Sequence, residues 1–146
     1  MRRLTFPKSK RLLSNRQFRR VLAGRRRAGD ELLTLWIAEN RCRHPRLGVS
    51  VGKACGNAVA RNRLKRLLRE AFRRSQDRIP PAFDYVLMIS PRTARRLKGR
   101  GRDPKALAAL TFHRVCRSFL TLTETLTDTK LKDPCASDGP DNERGR

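Results

Sequence analysis

The sequence lacks the features that usually identify a metal protein, a membrane protein or an exported protein. Its four cysteines form no C-x-x-C pair, and neither histidine stands at metal-ligand spacing from them, so they are interpreted as reduced thiols. The longest purely apolar runs are only a few residues long, which excludes a membrane span. The basic start is interrupted at residues 7–11 before any apolar stretch, so no export signal is expected and a cytoplasmic location is the default.

Recognisable catalytic groups are also missing. No Ser, Cys or His stands at a readable spacing from a group that could activate it, so no protein-borne active site and no catalytic residue are expected. Gly48, Gly52 and Gly56 form neither a P-loop nor a G-x-G-x-x-G motif, which argues against a nucleotide site. No carboxylate cluster is visible, and no metal ligand is assigned.

Acidic residues are scarce beside the basic ones. The 13 Asp and Glu stand against 36 Lys and Arg, which gives a formal charge of +23. Residues 122–146 contain six acids and only four bases, so the excess of positive charge belongs to residues 1–121. Such a surface requires a polyanion, and nucleic acid is favoured over an anionic membrane or an acidic protein.

The length fits one domain with two tails. Residues 1–13 are predicted to be a basic N-terminal arm and residues 14–121 a single RNA-binding domain. Residues 122–146 are predicted to be an acidic, disordered tail because Thr, Asp, Pro and Gly are frequent there.

Hydrophobic periodicity predicts six elements in the domain. A first helix starts at the N-cap Ser14, with Gln17 completing a capping box, and ends at Gly24. Strands are predicted over 32–38 and 47–51, consistent with an antiparallel hairpin, and over 83–90. A central helix spans about 59–78 and a last helix about 104–120, with a basic connector over 91–102. This order predicts an α/β two-layer sandwich in which helices cover a sheet.

The central helix has a cationic face opposite an apolar one. At 100° per residue four polar side chains cluster on one side: Asn62, Arg66, Arg69 and Arg73. Five bases stand within residues 61–69, and no acid precedes Glu70. A merely solvated helix usually mixes both signs of charge. Guanidinium groups match phosphate oxygens, and the Asn62 amide can pair with a base edge or a sugar hydroxyl, so this face is predicted to bind phosphates.

A second candidate surface combines Phe18 and Leu22 on the first helix with Thr34 and Trp36 on one face of the first strand. Apolar residues at these spacings often belong to the core. Aromatic rings beside cations also hold the unstacked bases of single-stranded RNA. The residues by themselves leave both interpretations open.

Two adjacent motifs resemble a known family. Residues 46–53 (RLGVSVGK) and 56–66 (GNAVARNRLKR) closely resemble the R-x-G-x-S-V-x-K and G-N-A-V-x-R-N-R-x-K-R signature of the bacterial ribonuclease P protein. Weaker support comes from Arg11-Leu12 and Phe18 upstream and from residues 84–86 downstream. The resemblance spans roughly residues 8–121, and Leu22 stands where the family often has an aromatic residue.

The resemblance implies a ribosomal protein S5 domain 2-like fold with a left-handed crossover. It also implies an accessory subunit of an endoribonuclease, which binds the catalytic RNA and the 5′ leader of precursor tRNA while the RNA removes the leader. Carried over by position, the residues that contact the catalytic RNA are Arg61, Asn62, Arg63, Lys65, Arg66 and Arg69. The residues that line the leader cleft are Phe18, Leu22, Thr34, Trp36 and Lys53.

The expected partners are therefore ribonuclease P RNA, in a complex of one protein with one RNA, and precursor tRNA, but no membrane. No cofactor is expected on the protein alone, and magnesium is expected in the RNA holoenzyme. The alternatives are a ribosomal protein, which leaves the R-N-R motif unexplained, a DNA-binding protein, for which no helix-turn-helix is evident, and a membrane-surface protein, which needs a free apolar stripe.

Overall fold

The computed structural model describes residues 8–42, 44–98 and 110–136, with the backbone alone for residues 8 and 128–136. This part of the chain contains four α-helices: α1 (Asn15–Ala23), α2 (Ala58–Ser75), α3 (Pro91–Leu97) and α4 (Phe112–Ala136). Its four strands are β1 (Arg27–Gly29), β2 (Leu33–Glu39), β3 (Arg46–Ser50) and β4 (Phe83–Ile89). The strands form one sheet in the order β1-β2-β4-β3.

The larger core lies between one face of the sheet and helices α2 and α4. Three residues of β2 that alternation predicts to share a face are fully buried there: Leu33, Leu35 and Ile37. The ring centroids of Phe72 and Phe119 lie 6.1 Å and 5.8 Å from that of Tyr85, at the tilted angles that aromatic pairs prefer. The predicted mixed α/β class, with helices covering a sheet, is confirmed.

The order of the strands differs from the prediction. β2 pairs antiparallel with β4, and β3 pairs parallel with the other edge of β4, so the predicted hairpin between β2 and β3 is wrong. The reason is the composition of β4, in which Tyr85 and Leu87 on one face and Val86 on the other are all fully buried. Only the centre of a sheet shields a strand on both faces and both edges.

Helix α1 forms as predicted and covers the opposite face of the sheet. The Ser14 hydroxyl accepts the Gln17 N–H at 3.2 Å, and the Gln17 side chain accepts the Ser14 N–H at 3.2 Å, which completes the capping box. Val21 is fully buried against Val86, and together with Leu12 they form the centre of a smaller apolar cluster.

The interpretation of residues 91–102 as a connector is wrong for residues 91–97, which form α3. The Ser90 hydroxyl caps this helix by accepting the Thr93 N–H at 3.1 Å, and Pro91 takes the first helical position. The hydroxyls of Ser90 and Thr93 each donate a hydrogen bond to the Glu31 carbonyl oxygen at 2.6 Å, which fixes α3 to the turn before β2. A helix of seven residues is too short to show a clear hydrophobic period, so the Ser90-Pro91 pair was the only indication in the sequence that a helix starts here. Strand β1, with three residues, is likewise too short to show a pattern of alternating apolar residues.

The C-terminal helix lies later in the chain than predicted. Of the predicted helix over 104–120, residues 104–109 lie outside the described residues, while Leu110 and Thr111 are not helical. Helix α4 begins at Phe112. The Thr111 hydroxyl caps its N-terminus by accepting the Arg114 N–H at 3.2 Å.

The predicted disorder of the tail is wrong over residues 122–136, which continue α4. Leu122 and Leu126 follow Val115 and Phe119 at helical spacing, and their side chains are 4% and 8% exposed. Burial of this apolar stripe against the core stabilises the helix, whatever the polar composition around it. Residues 137–146 of the predicted tail lie outside the described residues.

The N-terminal arm is partly docked on the domain. Residues 1–7 of the arm lie outside the described residues, and Lys8–Lys10 form a single 3-10 turn. The Leu12 N–H donates to the Leu47 carbonyl oxygen at 2.9 Å, and the Leu12 side chain is buried. This segment therefore pairs with the free edge of β3 through a single parallel bridge between Arg11 and Leu47. None of the helices in the described ranges is both long enough and apolar enough to cross a membrane.

Candidate RNA interface

Helix α2 presents the cationic face that its periodicity predicts. Its N-cap is Asn57, whose side chain accepts the Ala60 N–H at 2.9 Å. The buried side is apolar and comprises Leu64, Leu68, Ala71 and Phe72. Three of the predicted RNA contacts are exposed: Asn62, Arg63 and Arg66. The other three are half-buried: Arg61, Lys65 and Arg69. All six thus remain accessible on one helix.

The cationic face ends at Glu70. The Glu70 carboxylate accepts hydrogen bonds from Arg73 at 2.9 and 2.6 Å and from Arg74 at 3.1 Å. Hydrogen bonds from Arg73, and then from Arg74, lower the pKa of Glu70 to about 2. Arg73, which the helical periodicity groups with Asn62, Arg66 and Arg69, is therefore paired within the helix.

The docked N-terminal segment widens this surface. Lys10 donates from Nζ to Gln76 Oε1 at 2.7 Å, which holds the segment against the C-terminal end of α2. Burial, and then the nearby charge of Arg11, lower the pKa of the Arg69 guanidinium. Two cations held close together favour binding of an anion between or beside them. The sequence identified the arm as basic, but its docking beside α2 depends on the fold.

Arg61 differs from the other cations of α2. Its Nε atom is buried and has no hydrogen-bond partner among the described residues. Arg61 also lies close enough to the buried Cys55 to oppose the rise in that thiol's pKa that burial causes. The Nε donor of Arg61 is therefore shielded from solvent, whereas the side chains of Arg63 and Arg66 are exposed.

The second predicted surface forms around the smaller apolar cluster between α1 and the sheet. Phe18, Leu22 and Trp36 are all half-buried and pack around it. The Phe18 ring lies directly over Gly48, where an added Cβ would be 2.5 Å from Phe18 Cζ. These residues are therefore neither fully buried core nor free side chains. They form the outer layer of a small core and leave part of each ring or side chain accessible.

Residues on this face of the sheet stand in rows across the strands. One row contains Gly48, Val86 and Trp36, and the next contains Ser50, Met88 and Thr34. Ser50 is exposed, whereas Met88 and Thr34 are half-buried, so the second row is more open than the first. The fold thus brings Phe18, Leu22, Thr34 and Trp36 to a single face.

Trp36 combines a stacked cation with an unused donor. The Arg27 guanidinium carbon lies 5.5 Å from the Trp36 ring centroid, within range of a cation–π interaction. The indole Nε1 is buried and has no acceptor among the residues that the structure describes. Arg27, on the edge strand β1, is a cation of this surface that the sequence analysis did not single out, because β1 was not predicted.

Lys53 lies just beyond this face. It is exposed in the 3-10 turn Lys53–Cys55, three residues after Ser50, and that turn leads into α2. The C-terminal end of β3 therefore connects the open row of the sheet with the start of the cationic helix.

A buried carboxylate lies behind the apolar cluster. Asp84 is fully buried and accepts hydrogen bonds from Arg46 Nε and Nη2 at 2.8 Å each, from Asn40 at 2.7 Å and from Arg20 at 2.7 Å. Burial raises the pKa of Asp84, but these donors together hold it below its ordinary value. The sequence indicates a strand at Asp84 and a resemblance over residues 84–86, but it does not reveal the partners of this carboxylate, because they lie far away in the chain.

Comparisons with known proteins point to one family. The family model described as Ribonuclease P matches residues 6–100. The ribonuclease P protein component of Syntrophus aciditrophicus is 38% identical over 94 residues, which are 64% of this chain and 79% of that protein. The corresponding protein of Natranaerobius thermophilus is 34% identical over 113 residues, 77% of this chain and 86% of that protein.

Solved structures agree with the sequence relatives. The RNase P protein from Thermotoga maritima is similar with a TM-score of 0.66 at 27% identity, covering 79% of this chain and 96% of that one. The Staphylococcus aureus RNase P protein has a TM-score of 0.63 at 25% identity, covering 81% of this chain and 95% of that one. The family-model match over residues 6–100 includes the cationic part of α2 and both sides of the apolar cluster.

Proposed function

This chain belongs to the ribonuclease P protein family, and on that premise we propose that it binds the catalytic RNA through α2 and the 5′ leader of precursor tRNA between α1 and the sheet. The family forms part of an endoribonuclease complex. The role of this chain is then to position the substrate, while the RNA carries out the cleavage that creates the mature 5′ end.

The observation that supports this proposal most strongly is that every charged residue of α2 before Glu70 is basic. Asn62, Arg63 and Arg66 are exposed, and no acid precedes Glu70 on the helix. Where an acid does occur, it pairs with the neighbouring arginines, so the contrast lies within a single helix. Unpaired guanidinium groups favour phosphate oxygens, and the docked Lys10–Arg11 segment adds to the same surface.

The leader is proposed to lie on the open side of the apolar cluster. Phe18 and Trp36 offer partly accessible aromatic surface, and Arg27 is stacked on Trp36. Unstacked bases bind such rings, while cations follow the backbone. Thr34 and Lys53 would continue the cleft toward the start of α2, so that the leader and the catalytic RNA bind neighbouring surfaces.

Magnesium is proposed to belong to the RNA holoenzyme. The residues described here contain no group of three or more His, Cys, Asp or Glu side chains that could hold a metal ion, so they do not fit a protein-held site. Asp84, a buried carboxylate, is already surrounded by Arg20, Asn40 and Arg46. No step of the proposed function is therefore assigned to a metal on the protein.

The remaining proposals follow from family membership. We propose one protein bound to one ribonuclease P RNA, acting in the cytoplasm on precursor tRNA. We also propose that the connection from β3 through α2 to the parallel strand β4 is the left-handed crossover of ribosomal protein S5 domain 2-like folds, against the usual right-handed preference.

The decisive experiment is cleavage of a 5′-extended precursor tRNA by a bacterial ribonuclease P RNA at low magnesium, with and without this protein. The proposal predicts strong rescue of cleavage by the protein. Circular dichroism establishes that the protein is folded, and cleavage by the RNA alone at high magnesium establishes that the RNA is competent. No rescue under these conditions would exclude the proposed role and favour another structured RNA, such as ribosomal RNA, as the partner.

A further inference from the structure

Helix α1 has one fully buried residue, Val21, and its two sides differ in chemistry. At 100° per residue, Phe18 and Leu22 lie about 60° and 100° to one side of Val21, and Arg20 lies about 100° to the other. Val21 is fully buried. Phe18 and Leu22 therefore form the side that faces the proposed leader cleft, whereas Arg20 lies on the rear side, beside Asp84.

Arg20 connects α1 to two strands. Its Nη2 donates to Asp84 on β4 at 2.7 Å, and its Nη1 donates to the Glu39 carbonyl oxygen at the end of β2 at 3.1 Å. The planar guanidinium thus spans two fixed acceptors. Such a pair of bonds on the rear side resists rolling of the helix about its axis.

Asp84 has enough other hydrogen-bond donors to remain buried and ionised when the bond from Arg20 is removed. Asp84 also accepts two hydrogen bonds from Arg46 and one from Asn40, all between 2.7 and 2.8 Å. The Arg46 side chain is 19% exposed and the Arg20 side chain 50% exposed. Without Arg20, the buried Asp84 carboxylate still accepts two hydrogen bonds from Arg46 and one from the Asn40 amide, so the sheet should remain folded.

We propose that Arg20 is a positioning residue that anchors the rear side of α1 and thereby sets the width of the leader cleft on the front side. The inference rests on the proposed leader site. It assigns to Arg20 no contact with RNA. Loss of the anchor lets α1 roll away from the sheet, which moves Phe18 and Leu22 away from Trp36 and weakens their joint hold on a leader.

The test compares Arg20→Ala with Arg19→Ala. The two variants lose the same side chain and the same charge, but Arg19 is exposed on the solvent side of α1. Trp36 is the only tryptophan of the chain, so its fluorescence reports on the cleft in the free protein. Acrylamide should quench Trp36 more strongly in Arg20→Ala than in the unaltered protein, whereas Arg19→Ala should leave quenching unchanged.

The second measurement uses the holoenzyme. Arg20→Ala should reduce the preference for precursor over mature tRNA by about fivefold, a factor that corresponds to the net contribution of about one hydrogen bond. Affinity for the catalytic RNA should match that of Arg19→Ala, because neither residue belongs to the α2 face.

The outcomes separate the anchor from the leader site. Equal quenching and equal preference in the two variants would overturn the inference. A loss of preference without any change in Trp36 quenching would also overturn it, because Arg20 would then contact the RNA directly. Unfolding of Arg20→Ala would contradict the argument that Arg46 and Asn40 suffice for Asp84. If the unaltered holoenzyme shows no preference for precursor, the leader site fails, while the quenching comparison still decides the anchor.

Discussion

At the scale of single residues, the proposed leader cleft depends on the close approach of Phe18 to Gly48. Three atoms of the Phe18 ring lie within 3.0 Å of the position that a Cβ at Gly48 would occupy. Because Gly48 has no side chain, the Phe18 ring can lie directly against the backbone of β3. The family signature contains this glycine, and the structure supplies a physical reason for it.

Gly48→Ala should destabilise the protein by about 1–3 kcal/mol, because the new methyl group overlaps the Phe18 ring and forces it to move. Urea denaturation measures the change. Gly52→Ala is the matched control: nothing lies within 4 Å of its Cβ position, so its stability should change by no more than about 0.5 kcal/mol. Equal effects of the two substitutions would show that Phe18 does not pack on Gly48 in solution.

Glu70 provides a prediction for acid pH. Its pKa is lowered to about 2 in the folded protein, so the ionised group stabilises the fold above its ordinary pKa of 4.5. This contribution is lost as the pH falls from about 4.5 to about 2. The stability difference between the unaltered protein and Glu70→Gln should therefore shrink over that range. The difference is small even at pH 7, because the Glu70 side chain is 40% exposed. A difference that stays constant with pH would contradict the pairing with Arg73 and Arg74.

At the scale of elements, α2 separates two tasks between its faces. Its buried stripe, which includes Leu64, Leu68 and Phe72, holds the helix to the sheet and to α4. Its exposed face carries charges that contribute little to the fold. Substitutions on the exposed face should therefore change RNA binding and leave stability almost unchanged.

Arg66→Ala should weaken binding to ribonuclease P RNA by about 1–3 kcal/mol if it removes a charge-assisted hydrogen bond to phosphate. The number of counterions released on binding, measured from the slope of log affinity against log salt concentration, should also fall by roughly one. Arg117→Ala removes an exposed arginine from α4 and serves as the charge-matched control. Filter binding over a salt series measures both effects. Equal affinities of the two variants would exclude a specific role for Arg66.

Helix α4 shows that a polar-looking segment can be part of the fold. Leu122→Ala should destabilise the protein by about 2–4 kcal/mol, because the Leu122 side chain is 4% exposed within the core. Thr121→Ala, at the adjacent exposed position, should change stability by no more than about 0.5 kcal/mol. Thermal and urea denaturation test this pair. A neutral effect of Leu122→Ala would support the disordered tail that composition predicts.

At the scale of the whole molecule, the formal charge of +23 is expected to dominate the proposed association with RNA. Many phosphate contacts release many counterions, so affinity for ribonuclease P RNA should fall steeply between roughly 50 and 400 mM salt. Duplex DNA of equal charge should show a similar slope but weaker binding at every salt concentration if the α2 face recognises structured RNA. A flat salt response would contradict phosphate binding, and equal affinity for both nucleic acids would contradict RNA recognition.

The sequence alone determined those features that depend on neighbouring residues. The capping box at Ser14 and Gln17, the bounds of α1, α2 and the three longer strands to within a few residues, and the cationic face of α2 follow from local hydrogen bonding and periodicity. The R-N-R motif that carries the resemblance lies in this same region. These features require no knowledge of where distant segments meet.

Only the tertiary structure decided how distant segments meet. The central position of β4, the docking of Lys10 and Arg11 beside α2, and the continuation of α4 past residue 121 each depend on contacts with remote parts of the chain. The same holds for the half-burial of Phe18, Leu22 and Trp36 and for the partners of Asp84, which lie 38 to 64 residues away. A periodic pattern shows which side of an element is apolar, but the element that covers that side is selected by packing of the whole molecule.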